Sequence, residues 1–180
     1  TGPVISAPEA ITFLGENEGL AVSDVQVTDF LASITATDNV DGVIATITND
    51  VPADVLPLGD TTVTFTAVDA VGNTGTAQTL VTVSLDITPP ELTVPEPISL
   101  EVDMPSDVVD ASNDAIVTFL AAATAVDNKD GDVTSSIVND GPAEYPVGIT
   151  TVTFTVADAL GNEAKDTSTG TVSVIDTDGD

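Results

Sequence analysis

The sequence predicts an all-β fold arranged as two tandem β-sandwich domains. Segments such as 62–67 and 151–156 alternate polar with apolar residues, which is typical of strands that bury one face. Val and Thr supply about 30% of the 180 residues, and both residue types favour strands. Motifs of the first half also return about 89 residues later. Together these patterns indicate a repeated strand-rich unit.

Each copy is expected to contain about seven short strands. Those with the clearest alternation or β-branched content are 32–37, 43–48, 62–67, 77–85, 151–156 and 169–175. No segment shows helical periodicity, and the Ala-rich stretch 111–125 is assigned to a strand because of its central Val-Thr-Phe. The acidic stretches 16–29 and 103–114 are predicted to be inserted loops, and Asp132 to be an extra residue of copy two.

The repeat sets the domain boundaries. TVTFTAVDAVGN at 62–73 returns as TVTFTVADALGN at 151–162, and DNVDG at 38–42 returns as DNKDG at 127–131. We therefore place one domain at 1–86 and a second at 87–180, the latter with an acidic C-terminal linker. Pro89 and Pro90 hold the connection extended. The matching ends predict that like units connect end to end, in one chain or as subunits.

Composition excludes several classes of function. The chain has 30 acidic residues, two Lys, no Arg, no His and no Cys, for a net charge of −28. It therefore offers no basic surface for nucleic acid and no thiolate or imidazole nucleophile. No apolar run is long enough for membrane insertion, and no enzymatic activity is expected. Carboxylate is the abundant group, and carboxylates bind hard cations, above all Ca²⁺.

The second half of each copy carries a recognisable motif. The pattern P-x-G-x-T-x-V-T-F-T-x-x-D-x-x-G-N follows D-N-x-D-G and precedes a closing V-T-V or V-S-V strand. It resembles the hyalin-repeat (HYR) and bacterial immunoglobulin-like modules. The resemblance implies immunoglobulin-like β-sandwiches that serve as extracellular spacer and adhesion modules.

Immunoglobulin-like topology places the D-N-x-D-G loop and the D-A-x-G-N loop at one pole, where the chain enters each domain. Converging carboxylates repel one another, so the sequence predicts a bound Ca²⁺ between them. Turn formation alone is the competing interpretation, because Asp, Asn and Gly favour turns. The candidate ligands are Asp38, Asn39, Asp41, Asp69, Asn73, Asp86, Asp127, Asn128, Asp130, Asp132, Asp158, Asn162, Asp176, Asp178 and Asp180.

These features predict a structural repeat of an extracellular or cell-surface protein, with a prokaryotic source expected. It would form part of a calcium-stabilised fibre, filament, pilus or adhesin stalk. The alternative is an adhesion or carbohydrate-binding module. A sugar site usually needs an aromatic platform, and this chain has no Trp and one Tyr.

Overall fold

The chain divides into two compact units, Thr1–Asp86 and Ile87–Asp180. A computed structural model describes residues 1–175. Both units are built mainly from short strands, and each contains one short helix.

Unit 1 contains nine strands and one helix among its described residues. The strands are β1 Val4–Ser6, β2 Ala10–Gly15, β3 Leu20–Ala21, β4 Thr35–Asp38, β5 Gly42–Val43, β6 Ile47–Asn49, β7 Val55–Leu56, β8 Gly59–Val68 and β9 Thr74–Leu85, and the helix is α1 Val25–Ser33. One sheet has the order β2-β9-β8-β6, with β2 parallel to β9. The smaller sheets are β1-β4-β5 and the pair β3-β7.

Unit 2 repeats this topology with its own strands. They are β10 Glu91–Thr93, β11 Ile98–Val102, β12 Val108–Asp110, β13 Thr124–Asp127, β14 Gly131–Asp132, β15 Val138–Asn139, β16 Glu144–Pro146, β17 Gly148–Ala157 and β18 Glu163–Val174; the helix is α2 Asp114–Ala121, and Thr134–Ser136 form a 3-10 turn. The sheets are β11-β18-β17-β15, β10-β13-β14 and β12-β16. The parallel pair again joins the second strand of the unit to its last strand.

The two helices correct the expectation that no segment is helical. Asp24 caps α1 by accepting a hydrogen bond from the Gln26 N–H, and Asn113 caps α2 by accepting one from the Ala115 N–H at 3.0 Å. Residues three apart face the core in each helix, Val27 with Phe30 in α1 and Ile116 with Phe119 in α2. Capping and one buried face therefore outweigh the weak helix propensity of Val and Thr.

The strand boundaries also change. The segment predicted as 32–37 begins only at Thr35, because α1 extends to Ser33. The segment 43–48 divides into β5 and β6, which belong to different sheets. The stretches 16–29 and 103–114 are not simple loops, since they contain β3 or β12 and the start of a helix.

Asp132 is not an inserted residue. It lies opposite Val126, where unit 1 has Val43 opposite Thr37. Asn49 pairs with Phe65, and Asn139 pairs with the equivalent Phe154. Asn49 follows Val43 by six residues (49 − 43), whereas Asn139 follows Asp132 by seven (139 − 132). The extra residue therefore lies in the segment of the 3-10 turn.

Phenylalanine rings form the centre of each core. Phe13 and Phe65 both meet Phe30 edge-on, with ring centroids 5.8 Å apart in each pair. In unit 2, Phe119 and Phe154 meet in the same way at 6.1 Å. All five rings are buried, and such edge-to-face pairs add to the stabilisation from buried area.

One pair of core positions differs between the units in a compensating way. Leu56 and Val81 are fully buried in unit 1. Their counterparts in unit 2 are Tyr145, also fully buried, and Gly170. A Cβ on Gly170 would lie 3.4 Å from the Tyr145 ring. The larger ring thus takes the space that the missing side chain leaves.

We expect Gly170→Val to destabilise unit 2 by about 1–3 kcal/mol, because its methyl groups would overlap the Tyr145 ring in a packed core. Adding Tyr145→Leu recreates the Leu–Val pair of unit 1 and should recover most of the loss. Urea unfolding followed on amide NMR signals measures both effects, with the unit 1 signals as internal control. A double variant no more stable than Gly170→Val would contradict this compensation.

Candidate metal centre

Two acidic turns meet at the N-terminal pole of unit 1, the end at which its chain starts. The first turn joins β4 to β5 and includes Asp38 and Asp41, and the second joins β8 to β9 and begins at Asp69. The Asp41 Oδ2 accepts a hydrogen bond from the Ala70 N–H at 2.8 Å. This bond fixes one turn against the other.

Each turn is shaped by its own first carboxylate. Asp38 Oδ1 accepts hydrogen bonds from the N–H groups of Val40, at 2.8 Å, and Asp41, at 3.2 Å. Asp69 Oδ1 accepts from the N–H groups of Val71 and Asn73, at 3.0 and 2.7 Å. The motifs therefore do form the turns that Asp, Asn and Gly favour.

The turns also bring three carboxylates together. Oxygen atoms of Asp38, Asp41 and Asp69 lie within 4.8 Å of one another. The Asp38 Oδ2 is shielded from solvent and has no hydrogen-bond partner among the described residues. Turn formation explains the Oδ1 contacts of Asp38 but leaves this second oxygen unsatisfied.

Unit 2 repeats the arrangement with deeper burial. Asp127 Oδ1 accepts from the N–H groups of Lys129 and Asp130, both at 2.8 Å, and Asp130 Oδ2 accepts from the Ala159 N–H at 2.7 Å. Oxygens of Asp127 and Asp158 lie within 4.8 Å of each other. Asp127 is only 3% exposed, and residues 1–175 offer its Oδ2 no hydrogen-bond partner. An unsatisfied buried carboxylate oxygen is costly unless a cation or donor compensates it.

Asparagine orients the second carboxylate of each site. The Asn162 side-chain amide donates to Asp158 Oδ2 at 2.6 Å, and its backbone N–H donates to Oδ1 at 2.8 Å. Asn73 makes the same two bonds to Asp69, at 2.6 and 2.7 Å. These Asn residues therefore hold the carboxylates in place.

The hydrogen bonds keep these carboxylates ionised. Burial alone raises the pKa of Asp158, but the bonds from Asn162 and from the backbone N–H groups of Gly161 and Leu160 outweigh it, so the pKa lies below the usual range. The pKa of Asp69 is lowered by the same balance. The N–H groups of Val40 and Asp41 lower the pKa of Asp38. The sites are thus anionic at neutral pH.

The other candidate residues occupy the following positions. Asn39 Oδ1 accepts a hydrogen bond from the Thr1 hydroxyl at 3.0 Å, and Asn128 lines a shallow groove of about 240 Å³ beside Asp127. Asp132 sits in β14, where its Oδ1 accepts from the Thr134 N–H at 3.0 Å. Asp86 is the buried last residue of unit 1, with its N–H bonded to the Gly15 carbonyl. Asp176, Asp178 and Asp180 lie outside the described residues.

Sequence reasoning did not select Glu91, which lines the same groove as Asp127 and Asn128. Strand register explains its position, since Glu91 pairs with Val126, the residue before Asp127. Its counterpart in unit 1 is Val4, which pairs with Thr37. An acidic residue is therefore not repeated at this position in the two copies.

The donor set of these poles fits a hard divalent cation. It consists of Asp carboxylates, which are among the oxygen ligands that Ca²⁺ takes. The unpaired Oδ2 atoms of Asp38 and Asp127, unsatisfied within residues 1–175, are the atoms that such an ion would satisfy.

Comparison with known proteins identifies the class of domain. Residues 3–83 match the model of the HYR domain. The chain therefore contains a hyalin-repeat domain, as its motifs predicted, and unit 2 repeats the topology and turns of that domain.

The curated relatives are hyalins. Hyalin of Lytechinus variegatus is 34% identical over 178 residues, covering 98% of this chain and 32% of the relative. Hyalin of Strongylocentrotus purpuratus is 36% identical over 151 residues, covering 82% of this chain and 12% of the relative. The chain thus spans only a minor part of each. Both sources are animals, so the comparisons give no support to the expected prokaryotic source.

Solved structures show only distant likeness. Fibronectin(III)-like modules of Clostridium thermocellum CbhA align with 96% of this chain and 94% of theirs, at 16% identity and a TM-score of 0.32. The protocadherin GammaB4 extracellular domain aligns with 95% of this chain and 32% of its own, at 15% identity and a TM-score of 0.31. Superpositions this poor carry no argument about fold or function.

Both described helices are short, and neither is long and apolar enough to cross a membrane.

We predict that Asn162→Ala raises the pKa of Asp158, because burial then acts with fewer opposing hydrogen bonds. The depressed pKa contributes stability that is fully present above the unfolded value of about 3.9. That contribution is lost as the pH falls through the lower pKa of Asp158 in the folded state. The variant should lose it at a higher pH than the unchanged protein does. Carboxyl NMR titration in EDTA measures the shift. Asn73→Ala is the matched control, which should move Asp69 and leave Asp158 unchanged; an unmoved Asp158 in Asn162→Ala contradicts the assignment.

Proposed function

We propose that this chain is a structural repeat segment of an extracellular fibre, filament, pilus or adhesin stalk, in which calcium bound at the N-terminal poles stiffens like units joined end to end. The observation that carries the proposal is Asp127. Its side chain is almost fully buried, its Oδ2 has no hydrogen-bond partner in the described part of the chain, and Asp158 lies beside it. A fold that maintains such a pair gains stability from a cation between them.

The ligand assignment follows the geometry of each unit. Asp38, Asp41 and Asp69 supply carboxylates in unit 1, and Asp127 and Asp158 do so in unit 2. Asp130 lies in the same turn as Asp127, with its Oδ2 bonded to the neighbouring turn. Asn73 and Asn162 act as positioning residues.

Asp86 is proposed as a further ligand of the unit 2 pole from chain connectivity. β10 runs antiparallel to β13 with Glu91 opposite Val126, so the residues before Glu91 continue towards the end of β13 that carries Asp127. Asp86 directly precedes these residues in the chain. Asp176, Asp178 and Asp180 are proposed to serve a following unit in the same way.

An extracellular location suits this chemistry. Calcium sites of extracellular modules bind with dissociation constants of roughly 10⁻⁴–10⁻³ M. The HYR domain and the hyalin relatives support a repeat domain of the extracellular adhesion type. The high acidic charge of the chain would itself oppose close packing of units without counter-ions.

Calcium should raise the unfolding temperature of the full chain, because it binds the folded state alone. The stabilisation is about 1.4 kcal/mol at a calcium concentration ten times the dissociation constant. Asp127→Asn should remove most of the rise assigned to unit 2. In EDTA the same variant should be at least as stable as the unchanged chain, since one buried negative charge is gone. Thermal unfolding in calcium, magnesium and EDTA measures these effects.

Asp132→Asn is the matched control. It makes the same chemical change to an acid of unit 2, but this acid lies in β14 and is not part of the Asp127–Asp158 pair. The control variant should therefore keep the full calcium response. Equal loss of response in the two variants, or no calcium response in the unchanged chain, would contradict the proposed sites.

Stiffening is tested separately by small-angle scattering. If calcium fixes the connection between units, the full chain should show a longer and more narrowly distributed maximum dimension in calcium than in EDTA. Asp127→Asn should scatter alike in both conditions. A maximum dimension that is the same with and without calcium would refute the stiffening role while leaving calcium binding itself intact.

A further inference from the structure

A groove lies in unit 2 between helix α2 and the segment that joins β10 to β11. Its volume is about 720 Å³, and Val94, Ile98 and Phe119 supply its apolar walls. Volumes of this order are typical of ligand sites. The lining residues belong to 93–98 and 114–122, so the groove is separate from the acidic turns of the candidate metal centre.

Unit 1 holds the equivalent connection with a hydrogen bond that unit 2 does not repeat. The Thr79 hydroxyl donates to the Pro8 carbonyl at 2.7 Å. Thr79 lies opposite Val63, and Ser168 lies opposite the equivalent Val152, so Ser168 is the counterpart of Thr79. Ser168 is only 5% exposed, and its hydroxyl has no hydrogen-bond partner within residues 1–175. A buried hydroxyl without a partner is costly, so an added group that accepts its hydrogen bond would stabilise unit 2.

The unpaired hydroxyl lies beside the groove. β11 runs parallel to β18 with Ile98 opposite Gly170, and this register places Ser168 level with Glu96. Both Ile98 and Glu96 line the groove. Ser168 therefore adds a polar group beside a wall that is otherwise mainly apolar.

The helix side of the groove also differs from unit 1. Gln26 stands two residues after the cap Asp24, and its Nε2 donates to the Leu14 carbonyl of β2 at 3.2 Å. The residue two after the cap Asn113 is Ala115, which lines the groove. A methyl side chain cannot make this bond. The groove therefore lies where unit 1 uses a side chain to bind its helix to its second strand.

The charged lining residues of the groove are acidic. Among the residues that the structure describes they are Glu96 and Asp114, and both are exposed. An apolar wall with carboxylates at its edge is complementary to a ligand with aliphatic groups and an adjoining cation. In a protein segment, lysine or arginine beside leucine-like residues has this chemistry.

A second copy of this chain does not supply such a segment from its 180 residues. Its basic residues are Lys129, between Asn and Asp, and Lys165, between Ala and Asp. Neither adjoins a large aliphatic side chain. The occupant that fits the groove is therefore a segment of a different protein.

We propose that the groove of unit 2 docks a segment of a partner protein in which a lysine or arginine adjoins large aliphatic side chains. The aliphatic groups pack on Val94, Ile98 and Phe119, and the cation pairs with Glu96 and Asp114. This inference goes beyond the proposed function, because the docking needs no calcium.

Titration of the full chain with blocked tripeptides, followed on methyl NMR signals in EDTA, tests the docking. Acetyl-Leu-Lys-Leu-amide should shift the methyl signals of Val94 and Ile98. Acetyl-Gly-Lys-Gly-amide lacks the aliphatic groups and acetyl-Leu-Glu-Leu-amide reverses the charge, so each should bind about tenfold more weakly. Val71 of unit 1 is 84% exposed and serves as the control signal, which should not move.

Variants of the lining residues locate the binding. Ala115→Gln introduces the residue that unit 1 has at this position, so unit 2 should stay folded, with dispersed amide signals, while the longer side chain fills the groove and abolishes the shifts. Glu96→Gln together with Asp114→Asn should weaken binding of the lysine tripeptide by about threefold or more. Glu101→Gln makes the same chemical change to an exposed acid of β11 outside the groove. This matched control should bind as the unchanged chain does.

Equal binding of the three tripeptides, or shifts that persist in a folded Ala115→Gln variant, would overturn the docking. Shifts of Ile98 that appear when the chain alone is concentrated would also overturn it, because a second copy then occupies the groove.

Thermal unfolding in calcium separates this result from failure of the proposed function. A chain that calcium stabilises but that does not bind the lysine tripeptide overturns the docking alone. A chain that binds the tripeptide without any calcium response overturns the proposed function alone.

Discussion

Repulsion between carboxylates that the backbone holds close together is the constraint on which the N-terminal poles depend. Each carboxylate is anchored by N–H groups of its own turn, so the turns cannot form without bringing their charges to the same place. At 4 Å two such charges oppose each other by about 1 kcal/mol in bulk water and by more where solvent is excluded. The hydrogen bonds that define the turns therefore also hold the carboxylates where they repel one another, and a bound cation would relieve this repulsion.

The turns and the long strands could be predicted from sequence because their causes are local. Asp, Asn and Gly at fixed offsets specify the turns, and the alternation of β8 and β17 specifies which face is buried. Sandwich topology then places the turn after β4 beside the turn after β8. The convergence of Asp38, Asp41 and Asp69 could thus be anticipated.

The helices could not be predicted from the same reasoning. Val25, Val27, Val117 and Thr118 favour strands, and the decisive contacts are those of Phe30 and Phe119 with distant strands. Asp24 and Asn113 are of the residue types that cap helices. These types are equally common in loops, so they do not by themselves predict a helix. The sequence predicts one strand where β5 and β6 lie, because nothing in 43–48 marks the change from one sheet to the other.

The position of Asp132 depends on strand register. The added residue of unit 2 lies after β14, between Asp132 and Asn139, and the motif spacing does not locate it. The correspondence of Leu56 and Val81 with Tyr145 and Gly170 is visible only when the two copies are aligned.

Tyr145 gives this chain an unusual optical property. It is the sole tyrosine, the chain has no tryptophan, and its ring lies entirely inside unit 2. Tyrosine fluorescence therefore comes from unit 2 alone. In an assembly of such chains, every second repeat would carry a native reporter of its own integrity, and mechanical or chemical damage could be assigned to a unit without attaching a dye.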